Sequence, residues 1–345
     1  MKAVILRNEL DISPEWWRIA CDKYGILYQI VNLMEDNWLS DIQNANGDIF
    51  LACPSGMQEH LKAMYDEKIY WIENILQKKV YPSYNEICVY ENKRNFSYFA
   101  QTIGLPVPQT HVFYSRKEAH EFICSTQYPI VAKTSIGAAG TGVKILQTKK
   151  AAERYIRQAF TRGIKRKSGP NLQITTKRSL LDRAIKNPKF LIQKLKFYRK
   201  IRRGRQANCI IFQEYILHDF EWRIVKIGES YFGHKKLKVG EKASGTKAKL
   251  YDVPPVKLLD FVDSICKKCK FNMVAVDIFE NPNGNYFINE IQTKWGQKYD
   301  YLMLVDGKTG RFVKQKDGNW LFEEGDFNQN KSFNLRLEWI LQQYK

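Results

Sequence analysis

The 345-residue sequence predicts two fold classes in series: a small α/β unit of βαβ type at the N-terminus, then a longer α+β body. Three observations predict this. Residues 1–88 alternate short apolar runs with helical patterns; beyond Ile87 the apolar runs come in pairs joined by Gly- and Asn-rich turns; and 44% hydrophobic residues at this length supply more than one core.

In chain order, Ala3–Leu6, Tyr28–Leu33 and Asp48–Ala52 read as strands around a helix over Glu15–Tyr24. A longer helix, about Glu59–Gln77, ends at Lys78-Lys79 before Tyr81-Pro82. Trp16, Trp17, Tyr65, Tyr70 and Trp71 recur at helical spacing and are expected in the core. Then come a helix over Lys93–Ile103, a strand over Gln109–Phe113, a helix over Arg116–Cys124, and two strands around a glycine loop. The tail predicts a hairpin at Lys316–Asn319 and a helix over Phe333–Gln343. No apolar run approaches the ~20 residues of a membrane-spanning helix, and MKAVILRNEL reads as a strand and not as a signal peptide. Seven scattered cysteines, an odd number, predict reduced thiols and a cytoplasmic chain. Cys266-Lys-Lys-Cys269 lacks the second ligand pair that zinc requires.

The chemistry concentrates in two places. Asp277 in VAVDIF and Glu290 in YFINEIQ lie on two apolar runs joined by Asn281-Pro-Asn-Gly284. Period-2 alternation places both carboxylates on one exposed face of a hairpin, with Gln292 on the same side as Glu290. Paired carboxylates repel unless a cation lies between them, and oxygen-only ligands favour Mg²⁺, with Mn²⁺ as the alternative ion. Upstream, Lys133 ends a strand and precedes Ser135–Gly142, a loop carrying Gly137, Gly140 and Gly142 whose amides can close over phosphate oxygens. The loop is neither a dinucleotide fingerprint nor a Walker loop, because no helix follows directly and no Gly-Lys-Ser/Thr ends it.

In this order the motifs resemble the ATP-grasp ligases, in particular the glutathione-synthetase-like and ribosomal-protein-modifying carboxylate–amine ligases, from about Lys93 to Gly296. The resemblance implies a two-lobed ATP-grasp fold after the N-terminal domain (1–88), with a first lobe over 89–213, a second lobe with the metal site over 214–300, and an extension over 301–345. It implies that Lys93, Lys133, Ser135 and the loop glycines hold ATP phosphates, that Gln213, Glu214, Tyr215 and Ile216 form the hinge that reads adenine, and that Glu221 meets the ribose. It also implies that Arg223 meets the reacting carboxylate or its phosphate, that Lys235 stands among the basic catalytic residues, and that Asp277, Glu290 and Gln292 are the metal triad. The sequence departs from the pattern at Gln292, where Asn is usual, at His234-Lys235-Lys236, where arginines are common, and over Glu241–Asp252. These positions lie where the second substrate is expected. The implied reaction activates a carboxylate, small or glycan-linked, as an acyl phosphate and joins it to an amine. An ATP-grasp phosphotransferase and an ATP-binding docking protein are the rival readings.

Charge is the last signal. Between Arg162 and Arg205 stand sixteen Lys or Arg against one acidic residue, Asp182, so most of the net +19 lies in this insertion. Within Lys189–Arg203, apolar residues alternate with cations as a broad helical stripe. Such a segment fits a solvated face, an anionic membrane surface (here the inner face, with the chain peripheral to it) or a polyanionic glycan. Nucleic acid ranks lower because no recognised motif accompanies the charge.

Overall fold

The computed structural model describes every residue except 11, 55, 57, 138–139, 166–203, 240–241, 244–248, 298 and 345. The N-terminal domain runs β1 (Lys2–Arg7), α1 (Glu15–Lys23), β2 (Leu27–Asn32), α2 (Trp38–Asn44), β3 (Ile49–Ala52), α3 (Glu59–Tyr70, prolonged by a π turn over Trp71–Ile75), β4 (Val80–Tyr81) and α4 (Tyr84–Val89). Its sheet is parallel in the order β2-β1-β3-β4. The central strand β1 is buried on both faces, as its unbroken Ala-Val-Ile-Leu run requires. The sequence reading missed α2, which fully buries only Ile42, and the two-residue β4. Trp17 and Tyr65 are core residues as expected, but Tyr70 and Trp71 are exposed because they lie where α3 loosens into the π turn.

The first lobe runs α5 (Lys93–Thr102), β5 (Thr110–Phe113), α6 (Arg116–Ser125), β6 (Ile130–Lys133), β7 (Val143–Leu146), α7 (Lys149–Ala159), β8 (Ile164–Lys165), β9 (Arg205–Gln206) and β10 (Ile210–Glu214). Its antiparallel sheet has the order β5-β10-β6-β7. Ile130, Ala132 and Phe212 face the helices with Ile123 and Ile156, so alternation sends Val131, Lys133 and Gln213 to the opposite, cleft side. Side-chain caps start the helices: Asn92 for α5, Ser115 for α6 and Thr148 for α7. Most of the basic insertion, 166–203, lies outside the described residues, but its two ends pair antiparallel as β8 and β9.

The second lobe runs β11 (Phe220–Ile227), β12 (Ser230–Val239), β13 (Lys242–Ala243), β14 (Lys249–Leu250), α8 (Val256–Cys269), β15 (Met273–Glu280), β16 (Tyr286–Gln292), β17 (Leu304–Val305), β18 (Lys308–Lys314), β19 (Trp320–Glu324) and α9 (Phe333–Gln342). The sheet has the order β16-β15-β11-β12-β18-β17, with β14 also on β12 and β19 on β18. Helix α8 covers one face, packing Leu258, Leu259 and Val262 into a core with Ile224, Val276, Ile278, Ile288 and Ile291. Burial in this core raises the Cys266 and Cys269 thiols, so the CxxC is packing. The tail hairpin turns at Lys316–Asn319 and joins the sheet through β12, while α9 crosses back to the N-terminal domain. There Phe333 meets Trp17 edge-on at 4.7 Å, and Leu337 and Ile340 share a core with Ile5 and Met273. Each such buried side chain stabilises by about 1.5–3 kcal/mol. Glu86 completes the junction: its carboxylate closes the α4 capping box with Ser83 and also accepts from the Asn272 and Met273 amides at 2.7 and 2.6 Å, fixing the start of β15. Among the described residues, no helix is long and apolar enough to cross a membrane.

Candidate functional site

The floor of the site is the hairpin β15–β16. Asp277 and Glu290 are direct cross-strand partners, so their side chains share a face, and Gln292 follows on that face with its amide nitrogen 3.2 Å from Glu290 Oε2. The register shifts by one between Asp277/Glu290 and Ile278/Ile288, which leaves Asn289 as a bulged extra residue. The bulge aims two consecutive side chains, Asn289 and Glu290, into one cleft while Ile288 and Ile291 keep the core. Strict alternation could not place Asn289 there, and the sequence reading missed it.

The face is not exposed, contrary to expectation. Asp277 is buried because the neighbouring strands supply cations. Arg223 of β11 grips it with two parallel bonds, Nε at 2.7 Å and Nη2 at 2.8 Å, and Lys236 of β12 adds a third at 2.8 Å. Burial alone would raise this carboxyl, but Arg223 and Lys236 outweigh it and hold Asp277 well below the usual carboxylate range. Lys236 also pairs with buried Glu221, and Arg223 Nη2 reaches Gln292 Oε1 at 3.0 Å.

Lys235, expected among the catalytic residues, lies on the other face. β11 and β12 are joined by the two-residue turn Gly228-Glu229, and its register pairs Arg223 with His234, Trp222 with Lys235 and Glu221 with Lys236. Lys235 therefore lies over the Phe220 and Trp222 rings and pairs with Asp252 at 2.7 Å, leaving Lys236 as the cleft cation. Counting outward from Gly228 gives this parity from sequence. His218 and His234 are ordinary side chains: burial lowers both, and each ring nitrogen Nδ1 is tied to a backbone carbonyl, Ile216 at 2.7 Å and Leu302 at 3.2 Å.

The first lobe supplies the roof. Lys93, at the first turn of α5, bonds the Gly137 carbonyl at 2.9 Å and Glu290 Oε1 at 3.3 Å, bridging glycine loop and hairpin. Lys133 reaches Asn289 Oδ1 at 3.0 Å, and burial together with neighbouring Lys93 pushes its ammonium down to about 8. Gly137 and Gly140 line the cleft, and Gly140 has φ +67°, a conformation that favours glycine. Ser135 and Gly142 do not line it. Ser135 is buried behind the loop, where its hydroxyl bonds Asn92 Oδ1 at 2.9 Å and its carbonyl accepts from the Lys93 amide at 2.8 Å. Gly142 is required for another reason, since a Cβ there would lie 1.8 Å from Thr134 Oγ1. Gln206 ties this corner to the base of the insertion, accepting from the Ser135 amide and donating to the Cys209 carbonyl at 3.0 Å.

Between the lobes lies a cavity of ≈ 470 Å³. Val131, Val143, Ile145, Ile216 and Phe279 give it an apolar slot fit for a flat ring, edged by the connection Gln213–Ile216. Gln213 is held by Thr110 Oγ1 at 2.8 Å and Glu214 accepts from the Gln109 amide at 3.3 Å. At the other end the N-terminal domain contributes Asn8–Leu10, Pro54 and Gly56. Glu91, which the sequence reading passed over, also lines the cavity, and burial plus the nearby Glu290 pushes its carboxyl up to about 7.

This layout of two sheets closing on a cleft, with lysines above and carboxylates below, has known counterparts. The ATP-grasp RimK domain protein of Sphaerobacter thermophilus superposes with a TM-score of 0.54 at 14% identity, covering 86% of this chain and 92% of that one. The chain has an ATP-grasp fold. D-cycloserine synthetase DcsG shares it over 100% of both chains at a TM-score of 0.58 and 11% identity. So does the biotin carboxylase domain of the Hydrogenobacter thermophilus 2-oxoglutarate carboxylase, solved with MgADP, ADP and bicarbonate, at a TM-score of 0.54 and 13% identity over 86% of this chain and 65% of that one. Residues 92–213 match the family model of the carbamoyl-phosphate synthase L chain ATP-binding domain. No curated protein matches the sequence.

Proposed function

We propose that the protein is an ATP-dependent carboxylate–amine ligase that activates a carboxylate as an acyl phosphate and passes the acyl group to an amine. One observation carries the reading: the interlobe cavity brings Lys93 and Lys133, the glycine loop, Arg223, and the facing carboxylates Asp277 and Glu290 around a single space that also holds an apolar slot. The adenine ring fits the slot at Gln213–Ile216, with Glu221 within reach of the ribose. The polyphosphate then runs toward Lys93, Lys133 and the amides of the glycine loop.

Asp277, Glu290 and Gln292 fit Mg²⁺, or Mn²⁺ in its place. They lie on one face of two adjoining strands, each carries an oxygen able to ligate the ion, and Asp277 is kept ionised by its partners. Bound there, the ion supplies charge neutralisation to the polyphosphate. Arg223 and Lys236 share Asp277 in this arrangement, so both stand ready to turn a donor toward an incoming carboxylate or its phosphate. The carboxylate oxygen attacks the γ-phosphorus and ADP leaves; the amine then attacks the acyl carbon and phosphate leaves. No protein nucleophile is needed.

The finer reading, a glycan-linked substrate met at an anionic surface through the basic insertion 162–205, rests on sequence charge alone. The test is a screen for ADP formation across paired carboxylates and amines, with hydroxylamine as a trap for the acyl phosphate. ADP release that needs a carboxylate and yields hydroxamate supports ligation. ADP release that needs neither an amine nor hydroxylamine, with phosphate retained on the substrate, points instead to a phosphotransferase.

A further inference from the structure

The cleft is lined by the cations Lys93, Lys133, Arg223 and Lys236, and the N-terminal domain walls it with Asn8–Leu10, Pro54 and Gly56, with Lys294 added by the loop after β16. Asn8 is fully committed there: its amide nitrogen serves the Cys53 and Pro54 carbonyls at 2.6 and 3.2 Å, and its oxygen the Leu10 amide at 2.8 Å. Glu91 is not. It is 4% exposed and lines the cavity, yet its Oε2 has no hydrogen-bond partner among the described residues. The neighbouring cation, Lys93, stands 3.8 Å away and is already engaged by Gly137 and Glu290.

Two further features show that this carboxylate is held in place. Glu91 adopts φ +50°, a left-handed conformation unfavourable for a side chain of its size. Gly56 presses on it, since a Cβ at that glycine would come within 3.0 Å of Glu91 Cγ. A buried carboxylate oxygen with no donor is unfavourable, and a ligand that brings positive charge relieves it. The geometry points to Glu91 as the anchor for the ammonium group of the amine substrate, held where the N-terminal domain meets the cleft at Gly56. This assignment rests on the ligase reading above for the word substrate, and on the cavity alone for the cation.

The experiment measures binding and not turnover, so the two readings fail separately. Full-length protein with Mg·ADP is titrated with ethylammonium and with its neutral isostere ethanol, followed by saturation-transfer NMR, for wild type and Glu91→Gln. Wild type is expected to bind ethylammonium and not ethanol, and Glu91→Gln to weaken ethylammonium at least about tenfold, the scale of one charge-assisted hydrogen bond. Mg²⁺ affinity, titrated in parallel, is expected to stay within about twofold. Equal binding of ethanol and ethylammonium by wild type overturns the proposal even if the variant does not fold. A matching loss of Mg²⁺ affinity in Glu91→Gln also overturns it, because Glu91 is then a metal ligand. If ethylammonium binds through Glu91 but no amine supports ADP formation, the cation site stands and the ligase reading falls.

Discussion

Replacing Asp277 with Asn tests the hub of the site, and its cost can be worked from the contacts. The side chain is 2% exposed and accepts three charge-assisted bonds, two from Arg223 and one from Lys236. Asn removes the charge and turns an NH₂ toward one of these donors, so two buried cations lose their shared counter-ion, and among the described residues Glu221 is the carboxylate left paired with Lys236. Breaking a buried pair from one side costs about 3–5 kcal/mol, a large part of a typical total of about 5–15 kcal/mol. Because Asp277 titrates below its unfolded value, this stabilisation is complete at neutral pH and is lost only as pH falls through the depressed folded value. Urea unfolding of Asp277→Asn, Lys236→Met and the double variant provides the assay. The double variant should be more stable than the sum of the singles by roughly 1–3 kcal/mol, since removing Lys236 takes away one of the stranded charges. Glu290, with 21% of its side chain exposed, is the comparison: Glu290→Gln should lose Mg²⁺-dependent turnover at little cost in stability. Asp277→Asn unfolding within about 0.5 kcal/mol of wild type, with additive effects in the double variant, would falsify the buried-hub reasoning.

The register of β11 on β12 predicts opposite outcomes for two adjacent lysines: Lys235→Gln should leave turnover within about twofold, whereas Lys236→Gln should lower it at least about a hundredfold, both read by ADP release. Lys133 is pushed down to about 8, so in the free protein its charge is present below that pH and lost above it. ATP affinity measured by calorimetry should therefore be flat to about pH 8 and fall as pH rises further; an affinity that climbs above pH 8 would refute the role of Lys133 as a phosphate partner. For the basic insertion, neutralising Lys194, Arg199, Arg202 and Arg203 together should cut sedimentation with acidic liposomes, at about 1 kcal/mol per charge, and high salt should imitate the variant. Equal sedimentation with neutral and acidic liposomes would leave the charge as a solvated face.

The sequence by itself determined which segments make the floor and roof of the cleft. The apolar runs around Asp277 and Glu290 read as strands, the Asn-Pro-Asn-Gly turn as the reversal that pairs them, and Lys133 as the end of a strand before a glycine-rich loop. These are local facts of period and turn chemistry, and a chain carries them whatever surrounds it. The tertiary structure decided whatever depends on a second strand or another domain. One bulged residue turned Asn289 into the cleft. Arg223 and Lys236, brought in from neighbouring strands, changed Asp277 from an exposed carboxylate into a buried hub. Glu91 became a cavity wall only because the N-terminal domain packs against it through Gly56. A one-residue change of register reverses the face of every side chain beyond it, and burial is set by what packs on that face, so neither can be read from a strand taken alone.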